Sequence, residues 1–205
     1  MPTIVNIIDR VTAWTSENIC SKAKLKAPPD DLEAADGPGY EYTEVTPACF
    51  PMFVPTADKL PPGVEHNCPC VLVRLTDGED GRQAGSLDLE LWFHTWNPGT
   101  HGRDILKPAD GDRMTEWTGS EADAHYERNA EGWRDLWNWI DDALRELEST
   151  LSIDGLEIDQ ERGFRYGPLK DENGIADYYP FYFGYIGFAI KRPIVRVIKE
   201  IEDLL

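Results

Sequence analysis

The fold is decided by two neighbouring stretches of the sequence, CysValLeuValArgLeuThr (70–76) and LeuAspLeuGluLeuTrpPheHisThrTrp (87–96). The second stretch alternates between two sets of side chains, with Leu87, Leu89, Leu91 and Phe93 on one side and Asp88, Glu90, Trp92, His94 and Trp96 on the other. A period of two is typical of a strand and not of a helix. The connection, residues 77–86, is rich in glycine and acidic residues, which favours a solvated turn. The two stretches therefore predict a β-hairpin with one apolar face.

Three helices are predicted around this hairpin. Residues 3–20 repeat apolar side chains at helical spacing behind Thr3, a residue type suited to an N-cap. Residues 131–149 form the longest predicted helix, whose apolar stripe comprises Trp133, Leu136, Trp137, Ile140, Ala143, Leu144 and Leu147. Pro193 suits the first turn of a last, C-terminal helix.

The other β-prone segments are residues 151–158, which alternate, and residues 178–190, which are rich in aromatic side chains. Residues 47–55 are apolar but interrupted by proline, which predicts an extended edge or a packed loop and not a central strand. Strands that are neighbours in sequence and joined by turns indicate an antiparallel sheet. We therefore predict an α+β fold, with an antiparallel sheet built on the central hairpin and flanked by helices.

A single domain over residues 1–205 is expected, with an irregular Pro-rich loop (27–69) and an acidic insert (97–130). The chain has 20 basic and 38 acidic residues, a net charge of −18, and residues 110–161 hold 16 acids against four arginines. Such a charge repels the phosphate backbone, so no binding to nucleic acid is expected. The sequence shows neither a transmembrane run nor a signal peptide, so we expect no membrane partner.

A short segment around His66, Cys68 and Cys70 offers three metal-binding side chains, and Cys20 or Cys49 could complete a tetrahedral zinc site. The paired CxxC spacing of most such sites is missing, and Cys70 begins a predicted strand. Buried thiols that bind no metal are therefore the main prediction, with no cofactor. A zinc-stabilised module through the first three residues stays as an alternative.

His94 and Glu90 share one side of the predicted strand, and a histidine–carboxylate pair is the minimum for acid–base chemistry. No nucleophile elbow, phosphate-binding loop or zinc-protease signature accompanies the two residues. We therefore predict no catalysis. A small ligand-binding or hydrolytic module using His94 and Glu90 is kept as an alternative.

The aromatic residues are the stronger signal, because the chain has seven tryptophans, eight tyrosines and seven phenylalanines. Several of them lie off the apolar faces that a single core would use, and such rings commonly anchor subunit interfaces. We therefore predict self-association. The predicted interface residues are Trp92, His94, Trp96, Trp139, Tyr182 and Tyr185.

The order of these elements resembles that of tail-terminator or neck proteins of long-tailed bacteriophages, including prophage copies. That family has a Pro-rich lead-in to Pro-x-Val-x-Val-Arg-x-x-Asp-Gly-Glu-Asp, then a strand of the kind Leu-x-Leu-x-Leu-x-Phe-x-Thr, then a helix in which Trp and Leu recur. In this sequence the three parts are Pro69 to Asp80, Leu87 to Thr95, and Gly132 to Leu147. The long loop 27–69 and the insert 97–130 depart from the family's commoner pattern.

The resemblance implies a structural virion protein without catalysis, made in the cytoplasm of the bacterial host. It implies a homo-oligomeric ring, commonly a hexamer, which caps the tail tube and joins it to the head connector. DNA passes through such a ring without being gripped. An acidic chain suits that role, because like charges repel the phosphate backbone.

Overall fold

The computed structural model describes residues 2–30, 43–81, 84–98, 132–172, 174–176 and 178–193. The predicted α+β class is confirmed, because these residues form helices and a five-stranded mixed sheet. Nearly all of the predicted acidic insert and all of the predicted C-terminal helix after Pro193 lie outside the described residues. Among the described helices, none is long and apolar enough to cross a membrane.

The described elements follow one another in a simple order. They are α1 (Ile4–Asn18), a 3₁₀ turn (Cys20–Lys22), β1 (Leu25–Lys26), β2 (Glu44–Val45), β3 (Ala48–Pro51), a 3₁₀ turn (Ala57–Lys59), β4 (Cys70–Asp80), β5 (Ala84–Trp96), α2 (Trp133–Ser149), β6 (Ser152–Ile153), β7 (Leu156–Glu157), β8 (Arg165–Pro168), β9 (Lys170–Asp171), β10 (Gly174–Ile175) and β11 (Phe181–Pro193).

The five-stranded sheet has the order β3-β4-β5-β11-β8. β4 and β5 pair antiparallel from Cys70 opposite His94 to Asp80 opposite Gly85, with an irregularity in register between Leu75 and Asp77. β5 also pairs antiparallel with β11 along the full length of both strands. Since paired residues share a face, the alternation of β5 carries over to its two neighbours.

The prediction of a purely antiparallel sheet is wrong at one edge, because β3 runs parallel to β4, with Ala48 opposite Cys70 and Pro51 opposite Val73. The physical reason is the long connection between the two strands, residues 52–69, which gives the chain room to cross over before it pairs. A tight hairpin turn would have forced the antiparallel arrangement. The prediction that residues 47–55 supply an edge and not a central strand is confirmed.

One face of the sheet packs against both described helices, and we call it the helical face. Its buried strand residues are Val71, Val73, Leu87, Leu89, Leu91, Phe93, Ile186, Phe188 and Ile190, and they meet Ile7 and Val11 of α1 and Leu136, Trp139, Ile140, Ala143, Leu144 and Leu147 of α2. At the N-terminus of α1, the Thr3 hydroxyl accepts a hydrogen bond from the backbone N–H of Asn6 at 3.2 Å. This cap satisfies one of the free amides of the first turn.

The buried stripe of α2 is rotated relative to the sequence prediction. Trp139, a predicted interface residue, is 4% exposed and meets Phe93 edge-on with ring centroids 5.0 Å apart. Trp133, a predicted member of the apolar stripe, is 43% exposed. A helix lying on a sheet buries a stripe wider than a single row of side chains, and Trp139 falls inside it.

Two strand boundaries also differ from prediction. Residues 151–158 form a small hairpin of β6 and β7, because Asp154 and Gly155 both adopt positive φ and turn the chain back on itself. Pro193 is the last residue of β11, where it pairs with Ala84, and so it does not begin a helix.

Candidate functional site

The candidate site is the side of the sheet opposite α1 and α2, which we call the second face. Register and alternation place on it Phe50 of β3, Cys70, Leu72 and Arg74 of β4, Asp88, Glu90, Trp92, His94 and Trp96 of β5, and Phe181, Phe183 and Tyr185 of β11. Residues of the connection 52–69, including Val54, Leu60 and Val64, pack on the β3 and β4 side of this face. The β5 and β11 side carries charges and half-buried rings.

Trp92 occupies the middle of the second face and is held from two sides. Its indole Nε1 donates a hydrogen bond to Glu90 Oε2 at 2.7 Å. The Arg74 guanidinium lies over the Trp92 ring, 4.1 Å from the ring centroid, in a cation–π contact. Arg74 and Glu90 are also direct cross-strand partners. The ring is therefore fixed in place by its neighbours and lies flat under a cation.

Two further arginines lie near β5, one paired with a β5 carboxylate and one above Gly187 of β11. Arg162 forms a bidentate ion pair with Asp88, with nitrogen–oxygen distances of 2.6 and 2.9 Å. A Cβ built on Gly187 would meet Glu90 Cγ at 3.5 Å and Arg165 Nε at 3.8 Å, so Arg165 crosses β11 above that glycine. Asp88 is thus held by Arg162 and Glu90 by Trp92, so both carboxylates have partners on the second face.

His94 lines a cavity of about 500 Å³ between the second face and the segments around Pro28 and Asn67. Phe183 meets the imidazole edge-on, with ring centroids 4.9 Å apart and an interplanar angle of 82°. Burial lowers the pKa of His94 from 6.5 to about 4. The imidazole is therefore neutral at pH 7, with one ring nitrogen able to donate and the other able to accept a hydrogen bond.

The structure does not bring His94 and Glu90 together. They are four residues apart on one strand, which separates their Cα atoms by about 13 Å, and Trp92 lies between them. The Glu90 carboxylate instead accepts a hydrogen bond from the Trp92 indole. His94 and Glu90 are therefore not direct neighbours, whereas a cavity beside His94 is present, and the hydrolytic alternative stays a prediction.

The lowered pKa of His94 predicts a pH dependence of stability. The His94 imidazole takes up a proton at about pH 4 in the folded chain and at about pH 6.5 in the unfolded chain. The contribution of neutral His94 to the free energy of unfolding is therefore fully present above pH 6.5 and is lost as the pH falls toward 4. Between about pH 7 and about pH 5 we expect this group to lower the free energy of unfolding by about 2 kcal/mol.

Urea unfolding of the wild type and of His94→Gln at the two pH values measures this effect. The many carboxylates titrate alike in both proteins, so the difference between them isolates His94. An equal change in the two proteins would contradict a buried neutral imidazole.

The alternative zinc site is not assembled within the described residues, where no group of three or more His, Cys, Asp or Glu side chains is placed to hold a metal ion. Cys68 packs against Trp96, whereas Cys70 packs with Phe50 and Leu72. All four cysteines are free thiols. Burial raises the pKa of Cys68 to about 12, so this thiol is protonated at neutral pH.

The six predicted interface residues do not form one surface. Trp96 is 1% exposed and Trp139 is buried on the helical face, so neither can anchor a contact from the surface of the chain. Tyr182 packs against the core of the helical face. Trp92, His94 and Tyr185 are half-buried on the second face. The prediction of an interface at these last three residues stays a prediction.

Sequence reasoning missed a different set of exposed apolar side chains. Met52 and Phe53 lie at the β3 edge, Tyr166 belongs to β8, Ile175 belongs to the β9–β10 hairpin, and Tyr178 and Tyr179 precede β11. All of them occur within or beside segments that read as loops or turns, where large apolar residues are unusual. Large apolar residues inside predicted turns are the sequence feature from which these exposed side chains could have been predicted.

No protein-family model matches this sequence, and a search of curated proteins finds no match either.

Proposed function

We propose that the chain is a structural virion protein of a long-tailed phage or prophage, similar to tail-terminator or neck proteins. It associates with its own copies into a ring that caps the tail tube and joins it to the head connector. It performs no catalysis, is made in the cytoplasm of the bacterial host and ends up in the virion. DNA passes the ring without being gripped.

The observation that carries the proposal is the amount of large apolar surface left in water. Phe53 is 68% exposed, Ile175 is 62% exposed and Tyr166 is 60% exposed. Single exposed apolar residues are ordinary on a monomer, but groups of them mark a contact surface. Contacts between neighbouring subunits of a ring would cover these side chains.

The layering of the sheet also supports the proposal. The described helices cover one face, while the second face carries Trp92 and Tyr185 half-buried among arginines and carboxylates. Mixed aromatic and arginine surfaces are typical of protein interfaces. The proposed subunit has a central hairpin flanked by three helices, of which the third is predicted from the sequence after Pro193, outside the described residues.

Charge supports the passage of DNA without binding. The end of the β4–β5 hairpin exposes Asp77, Glu79 and Asp80, and the outer side of α2 exposes Asp141 and Asp142. Together with the net charge of −18, these carboxylates make a surface that repels phosphates. A ring lined by such a surface lets a duplex slide, since no counterions are released on contact.

A ring assay tests the proposal. Sedimentation velocity of the full chain should show a closed oligomer of one size at high protein concentration, and negative-stain images should show rings. Mixed with the tail-tube protein encoded in the same genome, the chain should bind tube ends and stop their elongation. A chain that stays monomeric, alone and with tube protein, would contradict the proposal.

A second candidate function is ligand binding in the cavity beside His94, favoured by its volume of about 500 Å³ and its lining of Phe181, Phe183 and Asn67. Titration of small aromatic and heterocyclic compounds, followed through the His94 ring resonances in NMR spectra, tests this candidate. Saturable shifts that are abolished in Phe183→Ala would support it. Unchanged resonances across such a library would remove it.

A further inference from the structure

We infer that Cys20 and Cys49 form a redox-sensitive clamp, a disulfide that closes in oxidising surroundings and ties the end of α1 to β3. Cys20 opens the 3₁₀ turn that follows α1, and Cys49 is the second residue of β3. Both are free thiols in this structure. The clamp belongs to the folded subunit and can close whether or not subunits assemble into a ring.

The fold brings the Cys20 sulfur to the backbone beside Cys49. Cys20 Sγ lies 3.8 Å from the carbonyl oxygen of Ala48, to which the thiol donates a weak hydrogen bond. Cys49 pairs with Val71 in the parallel register of β3 and β4, which places both side chains on the helical face. Cys20 belongs to the buried core of that face, and Cys49 packs against the same core. The two cysteines therefore lie next to one another on one side of the sheet.

The two thiols are in direct contact. Cys20 and Cys49 share a side-chain hydrogen bond, and this bond, followed by burial, raises the pKa of Cys20 above its ordinary value. Sulfurs that already touch can be joined by side-chain rotation, whereas distant sulfurs need the backbone to move. The clamp therefore needs little rearrangement to close.

The backbone on both sides of the pair is already fixed. The Ile19 N–H, next to Cys20, donates to the Thr15 carbonyl at 3.0 Å and closes α1. The Ala48 N–H donates to the Pro69 carbonyl at 3.1 Å, which holds the start of β3 beside β4. A bond between two such supports joins a helix to a sheet edge.

The other two cysteines are placed differently. Cys70 lies on the second face, across the sheet from the side chain of Cys49. Cys68 packs against Trp96 in a separate buried cluster. Burial raises the pKa of Cys68 to about 12 and also raises the pKa of Cys70, so both thiols stay protonated at neutral pH. They are therefore poor nucleophiles for disulfide exchange.

The clamp closes by exchange with a small-molecule disulfide such as glutathione disulfide. Cys49, the less buried thiol of the pair, loses its proton and attacks one glutathione sulfur, which breaks that disulfide and releases one glutathione. The Cys20 thiolate then attacks the Cys49 sulfur of the mixed disulfide and releases the second glutathione. Two protein thiols are oxidised, and their protons end on the two reduced glutathione molecules.

The order of the two steps has a physical reason. In the reduced chain, the hydrogen bond to Cys49 is the largest cause of the raised pKa of Cys20, ahead of burial and of the charge on neighbouring thiols. A mixed disulfide at Cys49 removes the thiol proton and the thiolate charge of that residue. Cys20 therefore loses its proton more readily after the first step than before it.

The clamp suits the route that the proposed function gives the chain, and this point alone rests on that proposal. A virion protein is made in the reducing cytoplasm of the host and enters an oxidising medium when the cell lyses. The clamp is then open during assembly and closed in the released particle.

Peptide mapping of the full chain tests the clamp. The reduced chain is incubated with glutathione disulfide at about pH 8, near the ordinary pKa of a thiol. Remaining thiols are alkylated, and trypsin then separates Cys20 in residues 11–22 from Cys49 in residues 27–59 and from the other cysteines in residues 60–74. We expect the first two peptides to be linked, with the loss of two hydrogen atoms, and peptide 60–74 to carry two alkyl groups.

Cys70→Ala keeps both members of the pair and is the matched control, so the linked peptide should form in it as in the wild type. Cys49→Ser should give no linked peptide. A link from Cys49 to peptide 60–74 would overturn the inference. A Cys49 thiol that remains available for alkylation, or that stays bound to glutathione, would overturn it as well.

Urea unfolding provides the second readout. The closed clamp should lower the equilibrium constant for unfolding by at least about thirty-fold relative to the reduced chain, because the bond restricts the unfolded chain. Cys49→Ser should unfold at the same urea concentration with and without glutathione disulfide. A linked chain that is no more stable than the reduced chain would contradict a clamp. Both readouts use the single subunit, so they can fail while the ring assay succeeds, and the reverse.

Discussion

Replacing Phe93 with alanine is expected to lower the free energy of unfolding by about 3–5 kcal/mol. Phe93 is fully buried on β5, the middle strand of the sheet, and contacts Trp139 of α2 edge-on. The substitution removes the ring and leaves a cavity between two rigid elements, which cannot close around it. Urea unfolding followed by far-ultraviolet circular dichroism measures the change.

Phe53→Ala is the matched control, because it deletes the same atoms at a position that is mostly exposed. At a concentration where both variants sediment as monomers, it should change the free energy of unfolding by no more than about 0.5 kcal/mol. A loss of under about 1 kcal/mol for Phe93→Ala would contradict tight packing of Phe93 between the sheet and α2.

Replacing Gly184 with alanine is the second large expected effect, with a loss of about 1–3 kcal/mol in the free energy of unfolding. A Cβ at this position would lie 2.6 Å from Ile140 Cδ1 and 3.4 Å from Leu136 Cδ2, so α2 packs directly on the backbone of β11 here. The added methyl group forces the helix and the strand apart. Thermal and urea unfolding should both show the loss.

Gly187→Ala tests whether the effect comes from packing and not from glycine in a strand. Gly187 belongs to the same strand but faces the other way, where a Cβ would make only ordinary contacts of 3.5 Å or more. We expect a neutral or slightly stabilising change of about 0.5 kcal/mol. Ile140→Val removes the Cδ1 atom that the new methyl group meets, so it should be less damaging in the Gly184→Ala background than in the wild type. Simple additivity of the two changes would argue against this contact.

Sequence pattern alone was enough to predict the alternation of β5, the place of Phe93 in the core, and the two described helices. These features depend on the period of side chains along one stretch of backbone, which is a local property of strands and helices. The apolar but proline-broken residues 47–55 likewise identified a sheet edge. Because alternation is local, it separated the two faces of β5 but did not show which elements pack on each face.

Which aromatic rings are buried and which are left at the surface depends on the packing of the whole chain. Trp96 packs with Cys68 and Phe181, and Trp139 packs on Phe93, through contacts between segments that are far apart in sequence. Phe53 and Tyr178 are exposed because chain turns at Met52 and β10 carry them to the surface. Burial is a property of the whole packed chain, since each ring is covered or exposed by residues that no local period can identify.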